Sequence, residues 1–136
     1  MKKLLSSAIG FLLLLLSCDN NTNIIQDYNR GNDLPPRKNF SEKDLKYQGQ
    51  TLKLTKHGIC RMDCRKLDAY EVQEVICKGR VNKRKSNPNS KPCPTIVYEG
   101  KTSDGQSARV VVGTCENDVK IVTVIDLGKN WDCACR

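Results

Sequence analysis

The sequence predicts a small α+β domain, two N-terminal helices packed on one face of a three- to four-stranded antiparallel sheet, and three observations carry that prediction. The stretch DAYEVQEVICKG, residues 68–79, places apolar residues at helical spacing between an acidic cap and a glycine. TIVYE (95–99) and SARVVV (107–112) read as strands joined through Asp104-Gly105, a pair suited to a hairpin turn. VKIVTVIDL (119–127) follows the turn Glu116-Asn117-Asp118 as a further strand. Helices that come first and strands that follow can bury their apolar faces only against one another.

Ahead of the domain stands a segment of another kind. Residues 1–17, MKKLLSSAIGFLLLLLS, join two lysines to an apolar run from Ala8 to Leu16, the make-up of a bacterial export signal. That run is shorter than the roughly 20 residues a membrane-spanning helix needs. Leu15-Leu16-Ser17-Cys18 resembles the lipobox of bacterial lipoproteins, so cleavage is expected before Cys18, whose thiol would carry a diacylglycerol. Acyl chains contribute about 0.8 kcal/mol per buried CH₂, enough for several chains to hold a protein at a lipid surface. The expected location is the cell envelope, facing away from the cytoplasm, with the outer membrane favoured. Residues 18–51 are rich in Asn, Asp and Lys, contain Pro35-Pro36 and show no apolar period. They read as a lipidated flexible tether, with too little apolar surface to offset the cost of ordering the chain. The folded part is expected from 52 to 136.

Within it, Thr55 caps a short first helix through KHGICRMDCR, although Gly58 weakens that helix by about 1 kcal/mol relative to Ala. The second helix is better marked. Asp68 and Glu71 form a capping box, Leu67 is placed to staple against Val72, and Val72, Val75 and Ile76 make the apolar stripe. Gly79 sits where a C-terminal cap belongs. Apolar residues of both parities in 119–127 predict a central strand covered, at least in part, on both faces.

Charge points to anions. Of 23 basic residues two lie in the signal segment, whereas all 15 acids follow it, which leaves the mature chain at about +6. Such a balance favours anionic partners without choosing among them. Between Cys77 and Tyr98 there is no acid, while Lys83, Arg84 and Lys85 are consecutive; this is either a solvated hairpin or a patch for an anionic ligand. On a helix, His57, Arg61 and Arg65 fall four apart and share one stripe. Arginine forks in that row match phosphate or carboxylate, so Arg61 and Arg65 join Lys83, Arg84 and Lys85 as candidate anion-binding residues. The bland alternative is a solvated face whose arginines pair with neighbouring acids.

Seven of the eight cysteines follow Cys18, an odd number. Cys60, Cys64, Cys133 and Cys135 form a foursome that suits two disulfides between the first helix and the tail, with a tetrahedral zinc site as the alternative cofactor reading. Their spacings differ from the usual zinc knuckle, and export into an oxidising space favours bridges. Cys77 and Cys93 are candidates for a further bridge, which leaves Cys115 as the odd thiol. A catalytic thiol at Cys60 or Cys64 beside two arginines is a weaker option, since no CxxC motif is present.

HGICRMDCRKLDAYEVQEVICKG, EGKTSDGQSARVVV with Cys115, and VTVIDLGKNWDCAC together resemble the "domain of unknown function 4258" family, in particular its version in Bacteroidetes lipoproteins. The resemblance covers residues 52 to 135 and includes Lys85-Ser86, Asp104-Gly105-Gln106 and the final CxC. Its implied shape is similar to that of RelE-like RNase toxins, which implies a metal-free RNA-cleaving ancestry. On that analogy His57 would be general acid or base, with Arg61, Arg65 and Arg109 stabilising phosphate charge. A protein held outside the cytoplasm meets little RNA, so nucleic acid is a disfavoured partner. The leading expectation is therefore a membrane-anchored, non-catalytic module binding an anionic ligand or an envelope protein, without a cofactor. A metal-independent RNase and a toxin-neutralising lipoprotein are the alternatives.

Overall fold

The computed structural model describes residues 39–135. The signal segment, Cys18 and most of the expected tether lie outside the described residues. Among the described residues a 3₁₀ turn, Glu42–Asp44, is followed by β1 (Lys46–Tyr47), β2 (Gln50–Leu54), α1 (Lys56–Arg65), α2 (Ala69–Lys78), β3 (Arg80–Val81), β4 (Thr95–Lys101), β5 (Ser107–Thr114) and β6 (Val119–Asp126). One sheet of six strands results, in the order β1-β2-β6-β5-β4-β3. All neighbours are antiparallel except β2 and β6, which run parallel through Leu52↔Val119 and Leu54↔Ile121.

The fold is α+β as expected, but the sheet is mixed and larger, and two strands precede the helices. The expected boundary at 52 also moves. Leu45 is fully buried and Tyr47 is 4% exposed, so the stretch read as the end of a tether is part of the core. Phe40 stacks edge-on against Tyr70, with ring centroids 5.6 Å apart. Apolar residues here are too few and too close to breakers to show a period, but each finds a seat on a surface built by residues far along the chain.

Both helix starts follow from their caps. The Thr55 hydroxyl accepts from the Gly58 amide (2.9 Å), and the Asp68 carboxylate accepts from the Glu71 amide (2.8 Å) while Glu71 accepts in return from the Asp68 amide (2.9 Å). Lys66, at φ 57°, is the left-handed residue that closes α1, and Gly79 is the C-cap of α2 as expected, in an extended conformation with its amide donating to the Val75 carbonyl. Gly79 is required for closeness: a Cβ there would stand 2.3 Å from the Val75 carbonyl oxygen and 2.8 Å from that of Glu99.

The core gathers Val72, Val75 and Ile76 of α2 and Met62 of α1 against Val110 and Val112 of β5 and Ile121 and Val124 of β6. Alternation on β6 breaks at a bulge, since Val111 pairs Thr123 but Val112 pairs Ile121. That one-residue slip explains the apolar residues of both parities: Val119 and Ile121 face the core before it, Val124 after it. β6 is central as expected, through a bulge more than through cover on two faces.

Strong curling brings the first strand to the fourth. The Tyr98 hydroxyl donates to that of Tyr47 at 3.1 Å, and the rings meet edge to face. Gln73 of α2 caps the outer side of β1, accepting from the Lys46 amide (2.7 Å) and donating to its carbonyl (3.1 Å). Beyond Ile121, β6 has no strand on its β2 side. There α1 takes over: Thr55 Oγ1 donates to the Ile121 carbonyl (2.9 Å), and Arg65 Nη1 donates to the Val124 carbonyl. Carbonyls left open at a strand edge are thereby satisfied by the neighbouring helix.

Candidate functional site

Two cationic groups stand on different parts of the domain. On α1, Arg61 Nε donates to His57 Nε2 at 3.2 Å, so the imidazole nitrogen is an acceptor held by its own helix. Arg65 spends a donor on the Val124 main chain and is partly buried. Burial and then repulsion from Arg61 lower its pKa from the ordinary guanidinium value, against a smaller opposing pull from Asp126. Asp126 accepts from Gln106 Nε2 (2.8 Å), Trp131 Nε1 (2.8 Å) and the Gly128 amide (2.8 Å). Burial raises its carboxyl, but these bonds together outweigh burial and hold it below the ordinary carboxylate range. Gln106 also donates to the Arg65 carbonyl (3.0 Å), tying the end of α1 to the β4–β5 hairpin.

The tail is stitched to the same helix. Cys60 pairs with Cys135 and Cys64 with Cys133, at Cα separations of 5.8 and 5.9 Å. Positions four apart on a helix project side by side, which matches the alternation of CAC in an extended tail. The structure thus places these four as bridge partners, and a sulfur in a disulfide offers no thiolate to zinc. Among the described residues no group of three or more His, Cys, Asp or Glu is placed to hold a metal ion.

The expected Cys77–Cys93 bridge is corrected. Cys93 is bonded to Cys115, Cα to Cα 4.8 Å, because Thr95 pairs Gly113 and the ladder extended by two residues brings those cysteines face to face. Cys77 lies on α2, its sulfur 3.0 Å from Gln73 Nε2. No described cysteine is free, so Cys115 is not an odd thiol.

The second cationic group is the connection from β3 to β4. Lys83, Arg84 and Lys85 are all exposed. They sit on a closed turn: the Lys85 and Ser86 amides both donate to the Asn82 carbonyl (3.2 and 3.0 Å), and Lys85 also reaches Asn82 Oδ1 (3.1 Å). The turn is fastened to the sheet, since the Asn82 amide donates to the Val97 carbonyl (2.8 Å) and the Val97 amide to Ser86 Oγ (3.0 Å). Asn87 then exchanges two bonds with Thr95, each 2.9 Å. Three adjacent cations are thus displayed on a tip with little freedom, and among the described residues none of the three is in an ion pair.

Arg109 does not join the α1 row. It lies on β5 opposite Glu99 of β4, with Nε 2.5 Å from Glu99 Oε1. Hydrogen bonds from Arg109 and Asn82, with Lys85 also near, hold the Glu99 carboxyl below its ordinary range despite some burial. β4 and β5 separate the Lys83–Lys85 turn at β3 from β6 and α1, so the candidate anion-binding residues form two groups. The clamp residues Asn82 and Ser86 were not singled out by the sequence reading. Their signal was present in NKRKS, where turn-forming Asn and Ser bracket the cations.

A family model described as "Domain of unknown function (DUF4258)" matches residues 54–126, more than half of the chain. The chain belongs to this family. The DUF4258 match begins at the end of β2 and stops with β6, so β1 and the disulfide-bonded tail lie outside it. No curated protein and no solved structure matches the chain.

Proposed function

We propose that this DUF4258 domain is a non-catalytic binding module for an anionic ligand or surface, carried at the cell envelope by an acylated Cys18. The observation that carries the reading is the fastened Asn82–Ser86 turn, which displays Lys83, Arg84 and Lys85 with none of them in an ion pair among the described residues. A tip already ordered loses little freedom on binding, so its charge translates into affinity more fully than that of a loose loop. Three bridges among described cysteines suit an oxidising compartment, which supports the export reading of residues 1–18. Residues suggested for phosphodiester cleavage are engaged otherwise: His57 with Arg61, Arg65 with a strand carbonyl, Arg109 with Glu99.

The test compares the wild-type protein with Lys83→Ala/Arg84→Ala/Lys85→Ala for binding to inorganic polyphosphate and to vesicles rich in anionic lipid. At about 1 kcal/mol per basic residue near an anionic surface, the triple variant should bind vesicles roughly a hundredfold more weakly. Binding by the wild type should also weaken with salt. Equal, salt-insensitive binding by both proteins removes the reading. Labelled RNA cut by the wild type and not by His57→Ala would replace it with the nuclease alternative.

A further inference from the structure

The C-terminal segment is bonded more than it is packed. After β6, residues 127–135 form no helix or strand, and none of them belongs to the core cluster. Leu127, Lys129, Asn130, Asp132 and Ala134 are exposed. The Leu127 amide continues the sheet briefly by donating to the Ser107 carbonyl (2.7 Å). Further along, the polar contacts with the body of the domain converge on Asp126, which accepts from Trp131 Nε1 (2.8 Å) and from the Gly128 (2.8 Å) and Lys129 amides, and a long Cys64 Sγ to Asp132 carbonyl approach (3.9 Å) is the other. Against this slight grip stand two covalent bridges.

The bridges also differ in access. Cys60, Cys64, Cys133 and Cys135 are all partly exposed, so both ends of each tail bridge are open, whereas the third bridge, at the end of the β4–β5 ladder, joins a partly exposed Cys115 to a Cys93 that is 7% exposed. We propose that the paired bridges Cys60–Cys135 and Cys64–Cys133 are a thiol–disulfide exchange site for a dithiol reductant, and that their reduction frees the tail from α1 while the α+β core stays folded. This is independent of the anion-binding reading.

The chemistry balances at each bridge. A thiolate of the dithiol attacks one sulfur, forming a mixed disulfide and expelling the other sulfur as a thiolate; the second thiol of the reagent then displaces the first. Two electrons and two protons pass to the protein, and the reagent leaves as a disulfide. Lys56 stands four residues before Cys60 and Arg61 three before Cys64, helical spacings that place a cation near each expelled thiolate, with Asp63 opposing. Release bares two thiols beside the His57–Arg61 pair and takes the Trp131 bond from Asp126.

Trp131 is the single tryptophan of the chain, so its emission reports the tail alone. The oxidised full-length protein is titrated with dithiothreitol, trapped with iodoacetamide and peptide-mapped, with fluorescence and far-UV circular dichroism followed in parallel. Expected are alkylation of Cys60, Cys64, Cys133 and Cys135 at about tenfold less reductant than Cys93 and Cys115 require, a red shift of Trp131, and unchanged circular dichroism. Reduction of Cys93–Cys115 in the same step with loss of secondary structure overturns the proposal. So does full alkylation of the four tail-bridge cysteines with Trp131 emission unmoved.

Discussion

Glu99 and Arg109 face each other across β4 and β5, with the guanidinium Nε 2.5 Å from the carboxylate Oε1. The pair neutralises the one cation of β5 and places an acid within reach of Asn82 and Lys85. Glu99 therefore subtracts from the field of the cationic turn. Glu99→Gln should raise affinity for polyphosphate severalfold and cost at most about 1 kcal/mol of stability, the range of a partly solvated ion pair. Isothermal titration and urea unfolding read the two effects separately; unchanged affinity would show that Glu99 lies outside the reach of the ligand.

Charge and order can be separated at the turn. Asn82→Ala and Ser86→Ala leave every cation and the main-chain bonds in place but remove the side-chain bonds, from the Lys85 amide to Asn82 Oδ1 and from the Val97 amide to Ser86 Oγ, that help to close and fasten the turn. Together they should weaken anion binding by about 1 kcal/mol, a fivefold change, through the cost of ordering the tip. An affinity equal to wild type would mean that charge density alone governs binding.

Leu45 tests the boundary of the domain. Its side chain is fully buried, so Leu45→Ala should cost about 2–5 kcal/mol, the range for a leucine truncated in a packed core. Thermal unfolding measures it. A tether residue would give no change.

Gly79→Ala should be destabilising although alanine is the better helix former. The added carbon meets two main-chain oxygens, of Val75 and Glu99, and overpacking of this kind costs about 1–3 kcal/mol. A neutral result would require α2 and β4 to move apart, visible as altered exchange of the β4 amides.

Acid should loosen the tail before the core. The Asp126 carboxyl titrates below its ordinary value of 3.8 because of Trp131, Gln106 and main-chain donors. A depressed pKa stabilises the folded state above the unfolded value, and that contribution is lost as pH falls through the folded one. Trp131 emission should therefore be flat from neutrality to about pH 4 and change below it, and Asp126→Asn should abolish the step.

Local signals were the legible ones. Thr55, Asp68 and Glu71 marked both helix starts because a cap is a contact within three residues. The hairpin at Asp104-Gly105 was equally readable, with Gly105 at φ 90°. Pairings across long separations were not. β1 and β2 are two and five residues long, pair with each other, and join the rest of the fold only through β6 and Gln73. The bridge of Cys93 to Cys115 needed the β4–β5 register, which cysteine spacing does not contain. Arg109 was grouped with His57 on the analogy with RNase toxins, whereas the strand order sets it beside Glu99.

The parallel pairing of β2 with β6 joins Leu52 to Val119, so the first long strand has only the two-residue β1 beside it until the last strand has been synthesised. Tyr47 waits likewise for Tyr98. A polypeptide wired in this way cannot lock prematurely while it is still emerging, and its assembly is governed by the slow search for distant partners. Any fragment confined to the family-matched stretch would lack Leu45, Tyr47 and Leu52 and would be left with an unfilled interior.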